Sequence, residues 1–111
     1  MLANKGNFIT FTSYPRPIPV GIYYLGPKGS YSYEVASRLR GRKIETRTIT
    51  EVFERVNEHG GLGVVPIENS IEGPVNETLD NLFSRDNIYV IREIEIPVRI
   101  VLCVNKNVKN G

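Results

Sequence analysis

The stretch Leu62-Gly63-Val64-Val65-Pro66-Ile67-Glu68-Asn69-Ser70 decides the fold class of this 111-residue chain. Its first six residues are apolar enough for a strand that is covered on both faces, as strands of parallel sheets usually are. Glu68, Asn69 and Ser70 then place a carboxylate, an amide and a hydroxyl at the carboxyl end of that strand. We therefore expect a layered α/β fold with a polar loop at one edge of its sheet.

Strands and helices alternate on both sides of this stretch. Val20 to Leu25 and Lys43 to Thr48 predict two further strands. Apolar residues at helical spacing predict three helices. The first contains Tyr31, Val35 and Leu39. The second contains Val52, Phe53 and Val56 and would be capped by Thr50, and the third contains Val75, Leu79, Leu82 and Phe83. Strands that alternate with helices favour a parallel sheet with right-handed crossovers.

The two ends of the chain depart from this pattern. Residues 1–19 carry three prolines at alternate positions and are predicted to form an extended N-terminal extension, so the domain itself would span residues 20–111. From Ile88 to Val104 apolar and polar residues alternate, which predicts one long strand that leaves the sheet. Its far part, Ile94 to Val104, would then pair with a partner subunit in a homo-oligomer. A hairpin that bends at Pro97 within one sheet is the alternative.

The composition argues against several classes of function. The net charge of +2 comes from scattered acidic and basic residues, so no nucleic-acid surface is predicted. The sequence shows neither an apolar run that could span a bilayer nor a signal peptide, which favours a soluble, cytoplasmic protein. Cys103 is the single cysteine and His59 the single histidine, so we expect no disulfide and no metal or other cofactor.

The loop Gly26-Pro27-Lys28-Gly29-Ser30-Tyr31-Ser32 follows the first predicted strand. Glycines let a ligand approach the backbone, and a helix start offers N–H groups to an anion, so Ser30 is a candidate binding residue. A plain N-cap role would explain the same residue. The spacing is not that of a dinucleotide-binding or phosphate-binding loop, which argues against a nucleotide cofactor.

Glu68, Asn69 and Ser70 are the stronger candidates for a binding site. A carboxylate at the end of a buried strand is costly unless backbone N–H groups hold it or a ligand uses it. Asn69 offers both a donor and an acceptor, and Ser70 offers a hydroxyl. The alternative is a structural loop that leads into a helix with Pro74 in its first turn, and the residues alone leave both interpretations open.

Together the two loops resemble the prephenate dehydratase family. The first resembles the family's Gly-Pro-x-Gly-Thr-Phe/Tyr-Ser opening, with Ser30 in place of the usual Thr and Tyr33 where a His is common. Val65 to Asp80 is similar to the family's Val-Pro-Ile-Glu-Asn-Ser-x-Glu-Gly-x-Val-Asn-x-Thr-Leu-Asp motif. The resemblance covers about residues 20 to 104.

The resemblance implies two α/β lobes of the periplasmic-binding-protein type II kind. This chain would be the first: a three-layer lobe with a parallel sheet, flanking helices and a long C-terminal crossover strand. It implies the lyase reaction of phenylalanine biosynthesis that converts prephenate to phenylpyruvate, with Ser30, Glu68, Asn69 and Ser70 lining the substrate cleft. The family's Thr-Arg-Phe segment, which carries its presumed proton donor, does not occur in these 111 residues.

We therefore expect little catalysis from this chain without a complementary lobe, and we assign it no catalytic residue. Two alternatives remain. One is a module that binds a small carboxylate without converting it, and the other is a truncated fragment that self-associates.

Overall fold

Nine secondary-structure elements make up the part of the chain that the computed structural model describes, residues 21–107. The predicted extension 1–19 lies outside these residues. The elements are β1 (Gly21–Leu25), α1 (Tyr31–Ala36), β2 (Arg42–Thr46), α2 (Ile49–His59), β3 (Leu62–Asn69), β4 (Gly73–Pro74), α3 (Asn76–Ser84), β5 (Ile88–Glu95) and β6 (Arg99–Asn105). The predicted α/β class is confirmed. None of these helices is long and apolar enough to cross a membrane.

The strands form one mixed sheet in the order β2-β1-β3-β6-β5, and β4 pairs with the end of β3. β1 runs parallel to β2 and to β3, because helices connect these strands and return the chain to the same edge. β6 runs antiparallel to both β3 and β5. The sheet is therefore parallel where strands and helices alternate and antiparallel at its C-terminal side.

The segment from Ile88 to Val104 is not one long strand, so that prediction is wrong and the hairpin alternative is correct. The chain turns between β5 and β6, where the Ile96 N–H donates to the Val98 carbonyl at 3.1 Å. A short loop of this kind costs little closure entropy, and it lets the apolar residues be buried within the chain. Both faces of β6 are consequently buried.

The predicted pairing of Ile94 to Val104 with a partner subunit is also wrong for β6. That strand lies between β3 and β5, and its backbone groups are paired on both sides. Formation of a homo-oligomer by another route stays a prediction.

Helices cover both faces of the sheet and produce three layers. On one face α1 packs on a cluster that contains Ile22, Tyr24, Val64, Ile100 and Leu102. On the other face α2 and α3 pack on a cluster that contains Tyr23, Val65, Val101 and Cys103. Gly63 brings α2 close to β3, because a Cβ there would lie 2.9 Å from Cγ1 of Val52.

Two predicted helix starts are wrong. Thr48, not Thr50, is the N-cap of α2, and its side chain accepts the Glu51 N–H at 3.0 Å. Pro74 belongs to β4, where it pairs with Glu68, and α3 begins after it. The pattern of apolar residues located both helices, but contacts with other elements engage the residues that were predicted to start them. Thr50 is bonded to Glu77 of α3, and Pro74 pairs with Glu68 of β3.

Candidate functional site

The predicted site residues follow two neighbouring parallel strands. Because β1 and β3 run parallel, the loops after them leave the same edge of the sheet. Ser30 follows β1, whereas Glu68 and Asn69 end β3 and Ser70 begins the turn behind it. The fold thus brings both loops to one edge, as expected.

Ser30 is the N-cap of α1. Its hydroxyl accepts the Tyr33 N–H at 3.2 Å and donates to the Leu25 carbonyl at 3.1 Å. Gly29 precedes it with φ of 100°, a left-handed conformation that favours glycine. The capping interpretation therefore accounts for Ser30, while a role in substrate binding stays a prediction.

Asn69 organises the turn that follows β3. Its Oδ1 accepts the Ile71 N–H at 2.8 Å and the Glu72 N–H at 3.2 Å. The side-chain oxygen is therefore used within the loop. Within residues 21–107, the Asn69 amide nitrogen and the Ser70 hydroxyl form no hydrogen bond, so both are available to a ligand.

Glu68 is held by an arginine, which the sequence analysis did not foresee. Arg99 Nη1 lies 2.9 Å from Glu68 Oε1, and Arg99 Nε lies 2.7 Å from Glu93 Oε2. The hydrogen bond to Glu68 is the largest cause that raises the pKa of Arg99, and the negative charge of Glu93 raises it further. One guanidinium therefore joins two carboxylates from different strands.

Glu68 and Ser70 line a cavity of about 250 Å³ together with Glu95, Pro97 and Arg99. Sequence reasoning missed the three residues of the hairpin. Glu93, Glu95 and Arg99 were visible as charges in an alternating segment, but only the turn at Pro97 brings that segment back to the end of β3. This corner carries three carboxylates, those of Glu68, Glu93 and Glu95, around one guanidinium.

A second cavity, of about 480 Å³, lies at the carboxyl ends of β1 and β2. Its lining residues are Gly26, Pro27, Glu45, Thr46 and Arg47. Within the described part of the chain, the Arg47 side chain forms no ion pair, so its charge is available to an anion. Over residues 21–107 no group of three or more His, Cys, Asp or Glu side chains is arranged to hold a metal ion.

A three-layer α/β lobe with polar cavities at the carboxyl ends of its strands belongs to the type II periplasmic-binding-like fold class. A solved structure agrees: the prephenate dehydratase from Streptococcus mutans superposes with a TM-score of 0.68 at 34% identity, over 76% of this chain and 48% of that one. The family profile for prephenate dehydratase matches residues 22–110. The chain belongs to the prephenate dehydratase family.

Curated relatives match over most of this chain but over a small part of their own length. The bifunctional chorismate mutase/prephenate dehydratase of Stutzerimonas stutzeri is 37% identical over 82% of this chain and 26% of its own length. The prephenate dehydratase of Lactococcus lactis subsp. cremoris is 38% identical over 79% of this chain and 33% of its own length. The prephenate dehydratase of Methanocaldococcus jannaschii is 40% identical over 69% of this chain and 30% of its own length. The chain thus spans about a quarter to a third of these relatives.

Proposed function

We propose that these residues form the first lobe of a prephenate dehydratase, a lyase that converts prephenate to phenylpyruvate, carbon dioxide and water in phenylalanine biosynthesis. One observation carries the proposal: Glu68 and Ser70, which both lie in the family motif, line one cavity at the carboxyl edge of the sheet. The match of residues 22–110 to the family supports it. The expected cytoplasmic location is part of the same proposal.

The reaction needs a proton for the departing hydroxyl and donors for the substrate carboxylates. Within the described residues, the Asn69 amide and the Ser70 hydroxyl are donors near Glu68 that form no other hydrogen bond. Arg47 supplies a cation at the carboxyl ends of β1 and β2. Glu68 accepts a hydrogen bond from Arg99 and would act as an acceptor toward a substrate hydroxyl. We assign no general acid among residues 21–107, so the proton would come from a second lobe.

The test is an assay of prephenate conversion, in which the phenylpyruvate formed is measured by its absorbance in alkali. We expect no measurable turnover by the 111-residue chain and turnover after the second lobe of a relative is added. Robust turnover by the chain alone would contradict the need for a second lobe. Binding of prephenate without turnover in the mixture would instead favour a module that binds carboxylates.

We further propose that a homo-oligomer, where it forms, uses the outer edge of β5. Among the described strands β5 is at one end of the sheet, and its Tyr89, Val90 and Ile91 are exposed. The register between β5 and β6 shifts between Val90 and Arg92, which leaves Ile91 without a partner in the ladder. Exposed apolar residues on an edge strand favour association between chains.

A further inference from the structure

We propose that Arg99 is the positioning residue of the candidate site. It fixes the orientation of Glu68 and offsets one of the three carboxylate charges around it, which lowers the repulsion of an anionic substrate. This inference rests on the proposed function, because it concerns the same cavity and the same substrate.

The position of Arg99 follows from the hairpin. As the first residue of β6, Arg99 lies opposite Glu68 of β3 and opposite Glu95 of β5. Its guanidinium reaches both neighbouring strands through two different nitrogens, Nη1 to Glu68 and Nε to Glu93. A planar guanidinium that is held at two nitrogens has a fixed orientation, which a lysine ammonium would not provide.

The hydrogen bond from Arg99 uses one oxygen of Glu68 and leaves the other available. Oε1 accepts from Arg99, whereas Oε2 accepts no hydrogen bond within residues 21–107. Arg99 therefore holds the Glu68 carboxylate in an orientation that leaves one oxygen available to a ligand that donates a hydrogen bond. A substrate hydroxyl has this chemistry.

The charge balance gives Arg99 a second effect. Glu68 and Glu95 line the cavity and Glu93 is bonded to Arg99, so three carboxylates lie at this corner. Without the guanidinium, they would repel a substrate that itself carries carboxylates. The side chains of Arg99, Glu68 and Glu93 are exposed by 47%, 44% and 45%, and ion pairs as exposed as these add little to stability. Removal of Arg99 should therefore alter binding more than folding.

The experiment is an NMR titration of the isotope-labelled 111-residue chain with prephenate. It compares the unmodified chain with Arg99→Gln, Arg99→Lys, Glu68→Gln and the double variant Glu68→Gln/Arg99→Gln. Arg92→Gln is the matched control, because Arg92 carries the same charge on the same hairpin, is exposed and forms no ion pair within the described residues.

We expect Arg99→Gln to weaken prephenate binding by tenfold or more and Arg99→Lys to restore part of the loss. Arg92→Gln should stay within twofold of the unmodified chain. Because Arg99 acts partly through Glu68, its replacement should cost severalfold less in the Glu68→Gln background than in the unmodified chain. The amide spectrum of each variant reports whether it is folded, and Arg99→Lys carries the comparison if Arg99→Gln does not fold.

The possible failures are distinct. Equal affinities of Arg99→Gln and the unmodified chain, or equal losses in Arg99→Gln and Arg92→Gln, would overturn the role of Arg99 and leave the proposed function intact. Additive losses for Glu68→Gln and Arg99→Gln would show that Arg99 does not act through Glu68, which also overturns the inference. If the folded, unmodified chain shows no shifts with prephenate, either alone or after the second lobe of a relative is added, that result would count against the proposed function itself.

Discussion

The hydroxyl of Thr78 donates to the carbonyl oxygen of Pro66 at 2.6 Å, and this bond joins α3 to the strand that ends in the candidate site. Thr78 is fully buried. Its neighbour Glu77 accepts the N–H and the hydroxyl of Thr50 at 2.9 and 2.8 Å, which joins α3 to α2. The later residues of the family motif therefore support the loop that carries Glu68 and do not themselves line its cavity.

Replacement of Thr78 should destabilise the protein. Thr78→Val keeps the shape of the side chain but removes the donor to Pro66, and we expect the free energy of unfolding to fall by about 1–2 kcal/mol. Urea unfolding measures the change. Thr78→Ser keeps the hydroxyl and should lose less than Thr78→Val. A Thr78→Val protein as stable as the unmodified chain would show that the bond contributes nothing.

Replacement of Ser30 separates capping from substrate binding. Ser30→Ala removes the side-chain acceptor for the Tyr33 N–H, so the free energy of unfolding should fall by about 1 kcal/mol. Ser30→Thr retains the hydroxyl and should be close to the unmodified chain. Thermal and urea unfolding test this expectation. Unchanged stability together with weaker prephenate binding would instead favour a role of Ser30 on the substrate.

Ionisation of the Cys103 thiol, which the folded protein buries, should lower the free energy of unfolding at alkaline pH. Burial raises the pKa of its thiol from 9.0 to about 12, so the folded protein retains a proton that the unfolded chain loses. The stabilisation is complete below pH 9 and is lost as the pH rises toward 12, with a slope of at most about 1.4 kcal/mol per pH unit. Urea unfolding at several pH values measures this slope.

The matched variant for this titration is Cys103→Ala, which lacks the thiol. Its stability should be lower at neutral pH, because a buried side chain is shortened, but it should fall less steeply above pH 9. Parallel curves for the two proteins would mean that the thiol is not protected from ionisation by the fold.

A charge at the edge of β5 should prevent self-association. Ile91 is 51% exposed on this edge strand, and a lysine there would meet like charge or lose its water in an edge-to-edge contact. Sedimentation of Ile91→Lys should show a monomer at concentrations where the unmodified chain associates. Ile71→Lys is the control, because Ile71 is 91% exposed in the turn after β3, away from this edge. Dispersal by both variants, or by neither, would exclude the β5 edge as the interface.

Local patterns were sufficient to predict much of the fold. The helix Ile49–His59 and the strand that begins at Leu62 follow directly from the spacing of their apolar residues. The start of that helix was misplaced because two threonines stand near it, and the second, Thr50, is bonded to Glu77 of another helix. The hairpin was only the alternative interpretation, because alternation along a segment does not reveal where its strand ends.

The sequence by itself determined the α/β class, the family and the identity of the polar loops, since these depend on periodicity and on a contiguous motif. The tertiary structure alone decided the surroundings of Glu68. Arg99 is 31 residues away from Glu68 along the chain, and the two meet because the turn at Pro97 places β6 beside β3. Contacts of this kind depend on the pairing of strands, which a pattern within one segment does not encode.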